Sequence, residues 1–182
     1  MKETGVVRKL DNLGRLVIPK EIRKCMRIKE GSPIEFGLLP SGEIVLCKYS
    51  LVNQISDYAE DFCDILNQIF DCIVIIGDRD KVISCSGGSK KQYINKKLSE
   101  EVLDIMDSQN SYMASIKDNT TILPLIEDDN ITYYSQIAFP IIIEGEKEGI
   151  IILASQKSDI NFDSTHIMVL KCIAKFLSKQ ME

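Results

Sequence analysis

The stretch Asp11-Asn12-Leu13-Gly14-Arg15-Leu16-Val17-Ile18-Pro19-Lys20-Glu21-Ile22-Arg23-Lys24 decides how the N-terminal part of this chain folds. Asp11 to Gly14 is turn chemistry, with Asp and Asn to bond their own backbone and Gly to take a positive φ. Leu16-Val17-Ile18 is apolar and mostly β-branched, which predicts a strand. Pro19 ends it by removing a ladder donor and opens a helix at its first position, with fixed φ. About two helical turns follow from Lys20 to Met26, with Ile22 and Met26 on one side and Arg23, Lys24 and Arg27 off it. Working outward, Gly5 to Leu10 reads as a strand before the turn. Gly31 and Pro33 break the chain before two more strands, Ile34 to Leu38 and Glu43 to Lys48, joined at Pro40-Ser41-Gly42. The predicted order is β-β-α-β-β.

A unit of this size with one short helix buries too little apolar surface to stand alone, and it has no disulfide or metal-ligand pattern to compensate. Intertwined dimerisation supplies the missing core and presents every basic residue twice about a two-fold axis, as two DNA half-sites require. Charge points the same way. Residues 1–50 hold ten basic and six acidic side chains, a net +4, and the other 132 hold 12 and 21, a net −9. Four of the five arginines lie in the first part, so the overall net charge of −5 hides a basic head on an acidic body.

Three stretches, Thr4-Gly5-Val6-Val7-Arg8-Lys9, Asp11 to Lys24 and Ile44-Val45-Leu46-Cys47-Lys48-Tyr49, resemble the AbrB family of transition-state regulators. The likeness covers the first 50 residues and centres on a long L-G-R-x-V-I-P-x-E-I-R core. It implies a swapped-hairpin β-barrel in which strands of two chains interleave, and binding of double-stranded DNA through paired arginines. At matching positions those contacts fall on Arg8, Arg15, Arg23 and Lys24, with Lys9 beside Arg8 as a further candidate. Lys24 keeps the charge of the family's arginine but lacks its planar fork. The alternative for these cations is a solvated barrel surface or an intramolecular pair with Glu21 or Glu30.

Beyond Ser50 the composition changes. Leu51, Ile55, Tyr58, Phe62, Ile65 and Ile69 recur at helical spacing, as do Ile167, Leu170, Ala174, Leu177 and Met181. Packing of both helices on the domain's own sheet is expected, with a helix-bundle interface between second domains as the alternative. Strands are expected at Cys72 to Gly77, Val82 to Ser86, Thr121 to Ile126, Thr132 to Ile143 and Gly149 to Ser155, with a helical stretch from Ser89 through Met106. The last two strands meet at a turn containing Gly145. The fold class is therefore α+β: a swapped-hairpin head over residues 1–50 and an antiparallel sheet flanked by helices over 51–182. The second part, through the Asp78-Arg79-Asp80 turn, Ser86 to Asn95 and the ending Phe176 to Glu182, resembles the GAF domain of AbrB-type sporulation regulators. That resemblance implies activation and repression of sporulation genes in the forespore and a tetramer assembled through GAF domains. The N-K-x-x-F-D-E signature of cyclic-nucleotide GAF domains is absent, so any small-molecule ligand is of unidentified class.

Catalytic chemistry finds little support. The lone His166 stands three residues after Asp163 at a helix start, without a triad. Glu127, Asp128, Asp129, Glu144, Glu146 and Glu148 fall in turns. Ser86-Gly87-Gly88-Ser89 lacks the Gly-Lys-Ser/Thr ending of a phosphate loop. Six cysteines without a C-x-x-C pair read as reduced and mostly buried thiols, with a redox sensor as the alternative; with no signal-peptide pattern or long apolar run they predict a cytoplasmic protein without disulfides, metal or membrane span. Two rival functions are an antitoxin built on the same barrel, and a ligand-binding protein whose head only dimerises.

Overall fold

The computed structural model describes residues 5–49 and 56–181, and the chain divides into two compact units, Met1–Tyr49 and Ser50–Glu182. In the first unit, helix α1 (Lys20–Cys25) starts after Pro19, and strands β1 (Ile34–Leu38) and β2 (Ile44–Lys48) form an antiparallel hairpin pairing Phe36 with Leu46. The expected strands at Gly5 to Leu10 and Leu16 to Ile18 are not strands in the single chain. Their arms meet only at the turn, where the Asp11 amide donates to the Arg15 carbonyl at 3.1 Å and the Gly14 amide to the Asp11 carbonyl at 3.0 Å. A strand needs a ladder of partners beyond its turn, and this chain supplies none among the described residues.

The second unit carries a five-stranded antiparallel sheet in the order β4-β3-β7-β6-β5, built from β3 (Ile73–Gly77), β4 (Val82–Ser86), β5 (Tyr112–Ser115), β6 (Ser135–Ile143) and β7 (Glu146–Ser155). Its central strands are apolar on both faces, because both are covered. Val74, Ile76, Ile151 and Leu153 point to one layer, formed by α2 (Ser56–Phe70) and α5 (Ser164–Met181). Ile73, Ile75, Ile150 and Ile152 point to the other, formed by α3 (Lys90–Tyr93), α4 (Glu100–Ser108) and the β5–β6 connection. Glu144 (φ 48°) and Gly145 (φ 85°) make the two-residue turn between β6 and β7, a type I′ hairpin that matches strand twist.

Further sequence expectations need correction. The stretch from Ser89 to Met106 is two helices. Asn95 takes a left-handed φ of 62°, Leu98 bridges Ile126, and the Ser99 hydroxyl caps a new helix by accepting from the Val102 amide at 3.1 Å. Thr121 to Ile126 is not a strand: Pro124 interrupts its donors, and the Leu125 amide donates to Asp129 at 2.9 Å instead. Another concerns α2, whose sheet-facing side is Ala59, Cys63 and Leu66, one residue out of step with the Tyr58, Phe62, Ile65, Ile69 stripe. Tyr58, Ile65 and Ile69 are exposed, and only Phe62 packs partly inward. The stripe on α5 lies as expected, with Leu170, Ala174 and Leu177 buried. Leu51, Ile55 and the Met181 side chain lie outside what the structure describes.

Candidate nucleic-acid interface

The N-terminal unit has apolar side chains and almost no interior. Among the described side chains of residues 5–49 only Pro19 is buried. Val7 (83% exposed), Val17 (72%), Phe36 (70%) and Leu38 (78%) stand open to solvent, with Leu10, Leu13, Leu16 and Ile44. These positions lie on the two arms, their turn and the β1–β2 hairpin, so the exposed apolar surface runs along the unit rather than sitting at scattered points.

Each predicted cation is exposed, and they come from three places. Arg8 and Lys9 lie on the arm before the turn, where one Arg8 guanidinium nitrogen donates to the Val7 carbonyl at 3.0 Å. Arg15 closes the turn. Arg23 and Lys24 occupy the last turn of α1, where the helix dipole favours positive charge. The anticipated internal partners Glu21 and Glu30 are not what engages Arg15. Its Nε donates to Asp11 Oδ2 at 2.7 Å, while Asp11 Oδ1 accepts the Leu13 and Arg15 amides at 2.9 and 2.8 Å. The Arg15 amide first, and then its guanidinium, hold the Asp11 carboxyl below the usual carboxylate range. Sequence reading placed Asp11 in the turn without a further role. The available signal was an acidic side chain four residues before the motif's arginine across a tight turn.

In the second unit the groups with chemical potential have structural duties. His166 Nδ1 lies 2.8 Å from Asp163 Oδ1, and Asp163 accepts the Thr165 and His166 amides at the head of α5. The ring packs against Phe70 and Phe162, with centroids 4.6 and 5.2 Å away. Gly87 has φ +75°, and a Cβ there would fall 2.3 Å from the Cys72 carbonyl oxygen, so the Ser86–Ser89 glycines serve close chain approach. Burial pushes the Cys63 and Cys72 thiols up to about 12 and Cys85 to about 11, away from the reactive thiolate; Cys25, Cys47 and Cys172 are exposed, so the cysteines are not mostly buried as expected. Arg79 pairs with buried Glu148 and donates from Nε to the Lys147 carbonyl at 2.8 Å, while Asp78 Oδ1 accepts the Asp80 and Lys81 amides. Glu146 and Glu148 both lie in β7, not in the turn expected for them. An open cleft of about 590 Å³ beside the β5–β6 connection is lined by Ile116, Thr120, Leu123, Asp129 and Tyr133 among others. Asp129 there accepts the Tyr133 hydroxyl at 3.2 Å, and Tyr133 meets the Tyr93 hydroxyl at 2.9 Å. Among the described residues no cluster of metal-ligating side chains occurs, and no helix is long and apolar enough to cross a membrane.

Known proteins match both units. Residues 54–182 match the family described as stage V sporulation protein T C-terminal, transcription factor, and residues 7–53 match the MazE antidote-toxin recognition family of bacterial antitoxins. Stage V sporulation protein T of Bacillus subtilis is 37% identical over 182 residues, covering 100% of this chain and 99% of that protein. The transition state regulatory protein AbrB of the same organism is 47% identical over 49 residues, 27% of this chain and 50% of that protein. Among solved structures, the GAF domain of an Acinetobacter phosphoenolpyruvate-protein phosphotransferase superposes with a TM-score of 0.59 at 12% identity, over 74% of this chain and 83% of the other. The second unit therefore has the GAF fold, the first is AbrB-type in sequence, and the chain belongs to the stage V sporulation protein T family of transcription factors.

Proposed function

We propose that this chain is a DNA-binding regulator of sporulation genes, whose residues 1–50 read DNA as an intertwined dimer and whose residues 51–182 assemble and sense. The observation that carries the reading is the coreless N-terminal unit. Its apolar positions, open in one chain, are those that a second copy's arms and hairpin would cover, which closes the ladders missing at Gly5 to Leu10 and Leu16 to Ile18. Dimerisation doubles Arg8, Lys9, Arg15, Arg23 and Lys24 on one surface, in keeping with phosphate and base-edge contacts. The antitoxin reading rests on the barrel alone, whereas this chain continues into a folded GAF unit. An enzymatic role has no support from His166, which Asp163 and the Phe70 and Phe162 rings hold at the head of α5.

A second association through the GAF units, giving a tetramer, is favoured by the outward faces of α2 and α5. The helices run antiparallel: Phe176 meets Tyr58 and Phe62 at ring centroids 6.1 and 5.4 Å apart, while His166 meets Phe70. Tyr58, Ile65, Ile69, Met168 and Phe176 form an exposed apolar strip along the pair. Exposed Asp61 and Asp64 flank it on α2, and exposed Lys171, Lys175 and Lys179 flank it on α5. A two-fold axis along the helices lays α2 of one copy over α5 of another, acidic edge against basic edge, as a four-helix bundle.

The test is enrichment of duplexes from a random-sequence pool by the full chain, followed by binding titrations across salt. Selection of a defined sequence is expected, with log affinity falling against log salt at a slope of roughly −4 to −7 for four to eight phosphate-facing cations. No enrichment, or a slope near zero, refutes the reading.

A further inference from the structure

We infer that Asp11 is a positioning residue that sets how Arg15 meets DNA, forcing an end-on approach through the Nη1 and Nη2 nitrogens. The inference rests on the DNA-binding reading above. Asp11 and Arg15 make a closed local unit. The main chain is tied at both ends of the turn, the carboxylate is fixed by two backbone amides through Oδ1, and Oδ2 takes the Arg15 Nε proton. The carboxylate therefore cannot swing away from Nε without giving up its turn bonds. The arginine side chain remains 71% exposed beyond that contact.

A guanidinium has five N–H donors and two ways to offer a parallel pair: side-on through Nε and one Nη, or end-on through both Nη. Occupation of Nε by Asp11 removes the side-on fork. The remaining pair matches guanine O6 and N7, and a pre-set fork loses less rotamer entropy on binding than a free arginine. The same carboxylate stands near the surface that phosphates would approach, where its charge opposes sequence-independent binding. Asp11 thus lowers affinity for any duplex while raising discrimination at the base Arg15 reads.

The two effects separate in Asp11→Asn. The amide oxygen still accepts the Leu13 and Arg15 amides, so the turn survives, while the negative charge is lost and the amide nitrogen cannot accept from Nε. The full-length variant is titrated against duplexes that the wild-type chain enriched from a random pool, and against a scrambled duplex. Expected are unchanged or up to about threefold tighter binding to the scrambled duplex, and preference for the enriched duplex reduced about tenfold. In an Arg15→Lys background, which has no fork to position, Asp11→Asn should leave the remaining preference unaltered. Full preference in Asp11→Asn, equal weakening on both duplexes, or the same loss in the Arg15→Lys background would each overturn the inference while leaving DNA binding intact. A wild-type chain that enriches no duplex removes the functional reading itself, and this inference with it.

Discussion

The two units of this chain spend their apolar residues in opposite ways. Residues 56–181 bury theirs in two layers, with Ile75, Ile76, Ile151 and Ile152 at the centre of a sheet covered on both sides. Residues 5–49 carry a comparable pattern of valine, leucine and isoleucine, and among their described side chains only Pro19 is buried. The chemistry of the residues is alike; the number of partner surfaces within one chain differs. A sheet with helices on both faces is self-sufficient, whereas a hairpin, a turn with two arms and one short helix are not. On the proposed reading, folding autonomy lies in the GAF unit, while the head's shape, and with it the DNA contact, depends on a second molecule.

Four measurements would break or sharpen that contrast. Arg15→Ala should cost the most, at least about 30-fold in affinity for an enriched duplex, since a dimer loses two contacts worth about 1–3 kcal/mol each; circular dichroism should not change, and loss of fold would instead assign Arg15 to the head's structure. Ile65→Lys with Phe176→Glu should halve the assembly's mass in sedimentation while leaving each GAF unit folded, whereas an unchanged mass would remove α2 and α5 from the interface. Leu66→Ala empties a fully buried site between α2 and the sheet and should lower GAF-unit stability by about 2–5 kcal/mol, with no effect on duplex preference. The smallest effect is alkaline. Cys63, Cys72 and Cys85 keep their protons in the folded state up to about pH 11 to 12, against an ordinary 9.0. The unfolded chain sheds them first, so stability is full below pH 9 and declines as pH rises toward 11. Cys63→Ala should flatten that decline in denaturant titrations at pH 8 and 10.5.

Much of this architecture was legible in the residues. β1, β3 and β4 follow from short β-branched runs bounded by turn chemistry, and α1 from Pro19 with an amphipathic stretch. The errors arise where a pattern is ambiguous about its partner. α2 is apolar over a wide arc, and periodicity reports an arc without saying which side meets the sheet, so the Tyr58 stripe looked like core. Ser89 to Met106 has helical composition throughout, and only a tertiary bridge at Leu98 and the Ser99 cap divide it. Pro124 was a visible objection to a strand over Thr121 to Ile126. Gly5 to Leu10 and Leu16 to Ile18 have strand sequences without a ladder in their own chain, which an intermolecular sheet would explain. At the candidate interface the arginines stood out through the motif, but the Asp11–Arg15 bond depends on backbone geometry at the turn that spacing alone does not fix.

The most direct test of the dependence on a second molecule is thermal unfolding of an isolated head, residues 1–53, over a 100-fold range of protein concentration, with its mass measured by sedimentation equilibrium. The account predicts a dimeric mass and a midpoint that rises with concentration, as mass action requires of a two-chain fold. A folded monomer whose midpoint ignores concentration would contradict it.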